Sequence, residues 1–321
     1  MRFVFVMDTL DRVTPEKDTT FAFIEAAEAR GHTCLHCKIN DLSVLRGEAM
    51  ARVRRITTRT AAPRISLEGE PSTLKLSEID GVFIRKDPPF DAAYLYATLL
   101  LESARPAPGK PGPVIVNDPR GLRDANEKLY AMHFPEWTPA TLVTSDRDEI
   151  FAFAKSVGGS AVIKPLDGAG GAGVMMLREG DKNARSIVDV LTFEGQRLAM
   201  VQEFLPAVTE GDKRILLLEG EPLGAILRVP RSDDLRSNIH VGGSVVPTEL
   251  TARERALCAA IAPRLKEDGL VFVGLDVIGE RLTEVNVTSP TGMQELARFT
   301  GTKPSEKVIA WVESARAKAL G

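Results

Sequence analysis

Cysteine is scarce in this chain: three in 321 residues. That excludes a disulfide-stapled scaffold and suits a reducing compartment. Long apolar runs are missing too; none approaches the roughly eighteen residues of a membrane-spanning helix. The opening run Met1-Arg-Phe-Val-Phe-Val-Met-Asp8 is too short for a signal peptide and lacks a small-residue cleavage site. A cytoplasmic location is expected. Nor does one sign of charge dominate: 41 Lys and Arg against 44 Asp and Glu leave a net charge of -3. Neither nucleic acid nor an anionic membrane surface is an expected partner. Internal repeats and low-complexity segments are absent. The composition, 44% hydrophobic and 26% charged, can bury a sizeable core in two domains, or in one large domain with a subdomain.

Two of the cysteines form a C-x-x-C within His32-Thr-Cys-Leu-His-Cys37. The segment reads as a strand, in which positions three apart point to opposite faces. Cys34 and Cys37 therefore cannot easily share a metal or a disulfide. His32, Cys34 and His36 do share a face, but a chance pattern in a buried or edge strand accounts for them. The chemistry lies elsewhere.

Glycine is where it first shows. In Ile163-Lys-Pro-Leu-Asp-Gly-Ala-Gly-Gly-Ala-Gly-Val174, residues Gly168, Gly170 and Gly173 satisfy G-x-G-x-x-G. A dinucleotide-binding turn requires such glycines to open a helix. Here a short apolar run, Val174-Met-Met-Leu-Arg178, is followed by the turn signal Glu179-Gly-Asp181, so a strand follows instead. No Lys-Ser or Lys-Thr follows the last glycine, which excludes a P-loop. Strand, glycine loop, strand remains, with Lys164 on the incoming strand. Such a hairpin can fold over a triphosphate, because glycines let backbone N–H groups approach phosphate oxygens. An ordinary glycine-rich hairpin is the alternative.

Hydrophobic periodicity places these residues in an α/β chain. Strands are predicted over 3–7, 32–39, 81–85 and 114–116. A helix over 21–30, capped by Thr19 or Thr20 and ended by Gly31, and another over 91–103 lie between them. The second helix carries Ala92, Leu95, Tyr96 and Leu99 on one apolar stripe. Alternating strands and helices argue for a parallel sheet covered on both faces. Residues 41–78 give only weak signals. After about Asn117 the pattern changes to α+β. Helices are predicted over 119–133, from a cap at Ser145 or Asp146, and over 183–194, 251–268 and 307–320. Strands are predicted over 141–143, 198–204, 215–218, 223–227, 271–278 and 282–287. Residues 231–243 read as a mobile loop.

The last two strands allow a register argument. Val273, Leu275 and Val277 share one apolar face, as do Val285 and Val287. A common core puts Leu275 opposite Val285 and makes Gly279-Glu-Arg281 a three-residue loop. Asp276 then faces Glu284, with Asn286 on the same side. These oxygen donors suit Mg²⁺, a hard cation that keeps waters and binds substrate phosphates.

These residues carry a family resemblance. The chain resembles the bacterial glutathione synthetases of the ATP-grasp superfamily over most of its length. The matching segments are Arg85-Lys-Asp-Pro-Pro-Phe-Asp91, Leu122-Arg-Asp-Ala-Asn-Glu-Lys-Leu-Tyr130 and Lys164-Pro-Leu-Asp-Gly168. Gly211-Asp-Lys-Arg214, Phe272-Val-Gly-Leu-Asp276 and Leu282-Thr-Glu-Val-Asn-Val-Thr-Ser-Pro290 continue it. The resemblance implies a Rossmann-like pre-ATP-grasp domain over 1–124 and an ATP-grasp domain over 125–321. Within the latter, about 130–205 forms the smaller nucleotide-clamping subdomain. It implies ATP-dependent ligation of γ-glutamylcysteine to glycine through an acyl phosphate, and a homotetramer.

The resemblance also implies roles. Lys128 and Lys164 approach the nucleotide phosphates, and Gly168, Gly170 and Gly171 close over them. The backbone of Gln202, Glu203, Phe204 and Leu205 meets the adenine, and Asp212 the ribose. Asp276, Glu284 and Asn286 hold Mg²⁺, with Mn²⁺ as the other candidate. Arg214, with Lys164, serves the chemistry by stabilising charge on the acyl centre. Arg85 and Arg228 are expected carboxylate clamps, and Ser289 joins the substrate set. No histidine or cysteine nucleophile is needed, so His133 and His240 have structural or incidental roles.

Arg231-Ser-Asp-Asp-Leu-Arg-Ser-Asn-Ile-His-Val-Gly-Gly243 matches the family's lid, in which Arg236, Asn238 and Gly242 keep the substrate-binding pattern. Asp233, Asp234 and Ser237 stand where glycine is more usual, and Ser244 where arginine is. Other readings are a different ATP-grasp carboxylate–amine ligase, or a non-catalytic ATP-binding protein.

Overall fold

The computed structural model describes residues 1–107, 112–168, 170–230 and 244–320. The first sheet comprises β1 (Arg2–Val6), β2 (Thr33–Cys37), β3 (Leu42–Leu45), β4 (Glu48–Thr58), β5 (Ile65–Lys75), β6 (Gly81–Ile84) and β7 (Val114–Val116). Helices α1 (Thr19–Ala29), α2 (Ala92–Glu102) and α3 (Pro119–Asp124) belong to the same part of the chain. The strand order is β3-β4-β2-β1-β6-β7, with β5 paired to β4. β1 runs parallel to β2 and β6, and β6 parallel to β7. Phe3, Val4, Phe5 and Val6 are all buried, as a central parallel strand covered on both faces requires.

The unread segment 41–78 is an antiparallel extension of this sheet, β3 to β5. Its signal was a strand alternation: Ala49, Ala51 and Val53 point into the core, while Arg52 is exposed. The basic residues between them masked it.

Three local expectations need correction here. The cap of α1 is Asp18, whose carboxylate accepts from Phe21 N–H at 2.7 Å. Thr19 and Thr20 sit inside the first turn, buried. α2 turns the other way: Tyr94, Ala97, Thr98 and Leu101 are buried, whereas Ala92, Leu95, Tyr96 and Leu99 are exposed. The helix is apolar all round until Glu102, so periodicity could not choose its face. The helix expected over 119–133 stops at Asp124. Asn126 Oδ1 accepts from Lys128 N–H at 3.1 Å and Leu129 N–H at 3.0 Å, a local alternative to helical bonding.

The second sheet holds β8 (Thr141–Thr144), β9 (Ser160–Pro165), β10 (Met175–Arg178) and β11 (Ala199–Glu203), in the order β10-β9-β11-β8. Helices α4 (Arg147–Ser156) and α5 (Ala184–Thr192) pack on it. β9 and β10 form the expected antiparallel hairpin around the glycine loop.

The third sheet holds β12 (Asp212–Leu218), β13 (Glu221–Val229), β14 (Ser244–Thr248), β15 (Phe272–Ile278) and β16 (Arg281–Asn286), in the order β14-β13-β12-β15-β16. With it come α6 (Ala252–Glu267), α7 (Met293–Thr300) and α8 (Pro304–Leu320). α8 packs back on α1, where Val308, Ile309 and Val312 share a core with Phe3 and Phe83. The opposite core runs from Val4 and Ile84 to Leu275 and Val285. Asn117 bridges the first and third sheets. Its amide donates to Phe272 O at 2.8 Å and Val287 O at 2.7 Å, and accepts from Phe272 N–H at 2.8 Å.

Leu275 pairs with Val285 and Asp276 with Glu284, as the apolar faces demand. The turn differs from expectation. Val277 pairs with Leu282, so Gly279 and Glu280 form a two-residue turn and Thr283 is a bulge residue. Positive φ angles of 53° and 64° suit a two-residue hairpin. Thr283 Oγ1 donates to Asp276 O at 3.1 Å, seating the bulge.

Candidate active site

β12, β13, β15 and β16 bring their polar residues to one face of the third sheet. Arg214 on β12 lies opposite Asp276 on β15, and Asp212 opposite Arg228 on β13. The Arg214 guanidinium grips Asp276 with two N–H donors, Nη2 reaching Oδ2 at 3.0 Å. Arg228 Nη2 meets the same carboxylate at 2.9 Å and also bonds Asp212 Oδ2. All four residues are largely buried. Gly274 makes the crossing possible: a Cβ there would come within 2.9 Å of Arg214 Cδ.

Burial drives the Asp212 carboxyl well above its ordinary range, with Arg228 opposing and Asp276 reinforcing. Burial acts on Asp276 in the same sense, but Arg214 and Arg228 outweigh it and hold that carboxyl below its ordinary value.

Glu284 meets a second pair of cations. Lys128 Nζ and Lys164 Nζ each lie 3.7 Å from its Oε1. Lys164 comes from β9, and Lys128 from the segment where α3 gives way. The backbone beside Lys128 is tied down by Val285 N–H donating to Glu127 O at 2.8 Å. Lys128 Nζ also donates to Gly168 O, linking the glycine loop to the cluster. Burial lowers the pKa of Lys164, Glu284 opposing and Lys128 adding to the effect.

The glycine loop needs its glycines for two different reasons. Gly170 and Gly171 have φ of 64° and 79°, which other residues rarely adopt. Gly168 lies so close to Pro165 and Ala172 that a Cβ would fall 2.8 Å from each.

A cavity of about 730 Å³ opens beside these groups. Arg85, Gly170, Arg214, Arg228, Asp276, Glu284, Asn286 and Ser289 all line it. Arg85 is buried there: Nε donates to Thr20 Oγ1 at 3.1 Å and Nη2 to Pro290 O at 2.9 Å. Residues 202–205 do not line that cavity. They lie on and just beyond β11, where Gln202 Nε2 donates to Thr141 Oγ1 at 3.0 Å. Arg236, Asn238, Gly242 and the rest of the expected lid lie outside the described residues, as does His240.

Comparisons with known proteins place the chain in a family. Residues 1–123 match the family model of the prokaryotic glutathione synthetase N-terminal domain, and 127–301 that of the prokaryotic glutathione synthetase ATP-grasp domain. The chain belongs to the prokaryotic glutathione synthetase family. The glutathione synthetase of Synechocystis sp. is 42% identical over 98% of this chain and 99% of its own length. That of Gloeobacter violaceus is 44% identical over 97% and 96%. A crystal structure of D-cycloserine synthetase DcsG superposes with a TM-score of 0.63, covering 97% of this chain and 99% of that one. At 17% identity the last comparison speaks for the ATP-grasp fold alone.

Within this family member, sequence reasoning missed several cavity residues. Glu127 lines the cavity and accepts from Thr288 Oγ1 at 2.8 Å. Burial raises its pKa; the Thr288 bond opposes this and Glu284 adds to it. A signal existed, because Glu127 lies inside the matched segment directly before Lys128. Asp18, Thr20 and Glu295 had none, since their neighbours are distant in sequence. The C-x-x-C stays outside the site: Cys34 and Cys37 are buried in opposite cores, and burial pushes both thiols up to about 12. Among the described residues no helix is long and apolar enough to cross a membrane.

Proposed function

We infer that the protein ligates γ-glutamylcysteine to glycine with cleavage of ATP, giving glutathione, ADP and phosphate through an acyl phosphate. One observation carries the mechanism: Arg214 and the acidic pair Asp276 and Glu284 wall the same cavity as the glycine loop. A carboxylate is a poor acyl donor, so its oxygen first takes the γ-phosphoryl group of ATP. The glycine amine then attacks the acyl carbon, and phosphate leaves. Such a sequence needs positioned reactants and charge neutralisation more than covalent help from the protein.

The chain's residues divide that task. Lys128 and Lys164 receive the nucleotide phosphates, and Gly168, Gly170 and Gly171 bring backbone N–H groups over them. Arg214 stabilises charge developing at the acyl centre. The backbone of 202–205 takes the adenine and Asp212 the ribose; a buried Asp212 Oδ1 without a protein partner supports the latter. Arg85 and Ser289 face the peptide substrate, and the family resemblance assigns Arg236, Asn238 and Gly242 to binding it. Arg228 orients the acidic cluster.

Asp276, Glu284 and Asn286 fit a divalent cation, Mg²⁺ or Mn²⁺. Among the described residues no three His, Cys, Asp or Glu side chains form a ready-made cage. A Mg²⁺ shared with phosphates needs only one or two carboxylates, however. Each carboxylate already meets two cationic side chains, so a metal would enter together with the phosphates by exchanging those partners. Asn286 Nδ2 is engaged by Gly274 O at 3.2 Å, which leaves its oxygen as the free end. The metal would supply neutralisation of phosphate charge.

The boundary near 124–125 and the clamping subdomain at about 130–205 follow the division among the three sheets. A homo-oligomer, a tetramer by family resemblance, is supported by the exposed apolar face of α2, where Tyr96 is 63% exposed, and a cytoplasmic location by the scarcity of cysteine. Light scattering on the purified protein tests that state.

The function is tested by phosphate release with ATP, Mg²⁺, γ-glutamylcysteine and glycine, each omitted in turn. Release that needs all four, with glutathione as product, is expected. Release with other amino-acid pairs but not this one would move the protein to a different ligase.

A further inference from the structure

The second sheet, with α4 and α5, has a hydrophobic core of its own. Ile150, Ile163, Leu177, Val188 and Val201 are buried together there, apart from the cores of the other two sheets. This lobe can therefore turn as one piece without opening a core. Among the described residues it bonds to the rest of the molecule at the cavity. Asn126 Nδ2 donates to Leu166 O at 3.1 Å, Lys128 Nζ donates to Gly168 O, and Lys164 Nζ lies 3.7 Å from Glu284 Oε1.

The chain enters the lobe through residues 134–140 and leaves it through 204–211. The two links are fastened to each other, with Glu203 N–H donating to Ala140 O at 2.9 Å. Both also rest on the tip of the β15–β16 hairpin. On the entry side Leu282 N–H donates to Trp137 O at 2.8 Å, and Arg281 Nη1 to Glu136 O at 3.2 Å. The Arg253 guanidinium lies 5.1 Å from the centre of the Trp137 ring. On the exit side Gly279 comes so near Ala207 that a Cβ on it would fall 2.8 Å from the Ala207 Cβ. The turn is anchored from behind, where Thr251 Oγ1 at the start of α6 donates to Glu280 Oε1 at 2.7 Å.

Two chain crossings on one anchored support define an axis of rotation. The strands leaving that support carry Asp276 and Glu284, whereas the lobe carries Lys164 and the glycine loop. We propose that the hairpin tip is the pivot of the lobe, and that Gly279 and Ala207 are positioning residues. Their close contact sets the angle at which Lys164 and the glycine loop stand against the acidic pair. The inference goes beyond the choice of substrates; it needs only that nucleotide phosphates are held between the lobe and the third sheet.

The test places one methyl group in the pivot of the full-length enzyme. Gly279→Ala is expected to lower kcat for phosphate release by about 10–100-fold, the scale of a misplacement near 1 Å, and to raise KM for ATP. KM for γ-glutamylcysteine should change by less than about twofold, because Arg85 and Ser289 lie outside the lobe. Adding Ala207→Gly removes the atom that the new methyl meets and should restore kcat, although the strain of alanine at a φ of 53° remains. Gly180→Ala, at a φ of 80° with open space around it, carries similar strain and should keep the wild-type rate. If Gly279→Ala does not fold, Ala207→Leu presses on the same contact from the exit link and should show the same loss. Absence of rescue in the double variant, or an equal loss in Gly180→Ala, would overturn the proposal. A spin-label distance between Lys182→Cys on the lobe and Arg255→Cys on α6 reads the geometry directly, since the native cysteines are buried. Gly279→Ala should shift that distance and Ala207→Gly return it; an unshifted distance would count against the pivot. If the wild type makes no glutathione, the ligase reading falls, while the distance still decides the pivot.

Discussion

Asp276 and Glu284 stand directly opposite each other across β15 and β16, and each is held by two cations. Arg214 and Arg228 grip the first; Lys128 and Lys164 flank the second at 3.7 Å. Like charges directly opposite in a sheet repel, so the hairpin alone would disfavour this pair. The cations come from β9, β12, β13 and the break after α3, which makes the acidic pair a product of the assembled domain. Phosphates and a divalent cation can enter such a network by exchanging its partners.

Arg214→Lys is expected to lower kcat by about 10²–10³-fold, the usual effect of removing one positioned donor from a developing charge. Lysine keeps the charge that balances Asp276 but loses the planar two-point grip. Phosphate release measured beside a thermal melt checks this. A variant that is active at the wild-type rate would remove Arg214 from the chemistry.

For Glu284→Gln we expect the Mg²⁺ concentration that half-saturates phosphate release to rise about tenfold or more, because a hard cation loses a charged oxygen donor. A magnesium titration of both proteins at saturating ATP is the measurement. An unchanged midpoint would place the metal elsewhere.

Asn117 joins the first and third sheets through three hydrogen bonds to backbone groups of 272 and 287. Asn117→Ala strips them and leaves buried backbone groups without partners. The expected loss of stability is about 3 kcal/mol. Urea unfolding reads it directly, and a loss near zero would show that the bridge is dispensable.

Glu313 on α8 accepts from Arg30 Nε at 2.9 Å and contacts His32 Nε2 at 2.5 Å, tying the C-terminal helix to the first sheet. The Arg30 bonds, against some desolvation and helped by His32, hold its pKa at about 2, below the ordinary 4.5. A lowered carboxylate pKa adds stability that is complete above the ordinary value and vanishes as pH falls through the folded one. The pair is partly exposed, so its worth is about 1 kcal/mol. Glu313→Gln should therefore be less stable by that amount at neutral pH, with the gap closing between about pH 4.5 and 2. A gap that persists unchanged to the acid limit would assign the effect to packing.

The hairpin register shows how far local pattern reaches. Alternation in Val273, Leu275 and Val277 against Val285 and Val287 was enough to place Asp276 opposite Glu284, because a slip of one residue would turn every apolar side chain to the wrong face. The same reasoning missed the bulge at Thr283, whose seat is a hydrogen bond to Asp276 O that alternation does not encode. It also chose the wrong face of α2, where apolar residues occur on every side.

By itself the sequence determined most strands and helices outside residues 41–78, the glycine hairpin, the register of the acidic pair and the family. Each of these rests on periodicity or on residues close together in the chain. Tertiary structure decided which face of α2 is buried, that α3 stops in time to present Lys128, and that Asn117 locks two sheets together. It also decided that Gln294 and Arg298 of α7 meet Pro15 and Glu16 across some 280 residues of chain. Those outcomes depend on partners distant in sequence, and only packing brings such partners within hydrogen-bonding range.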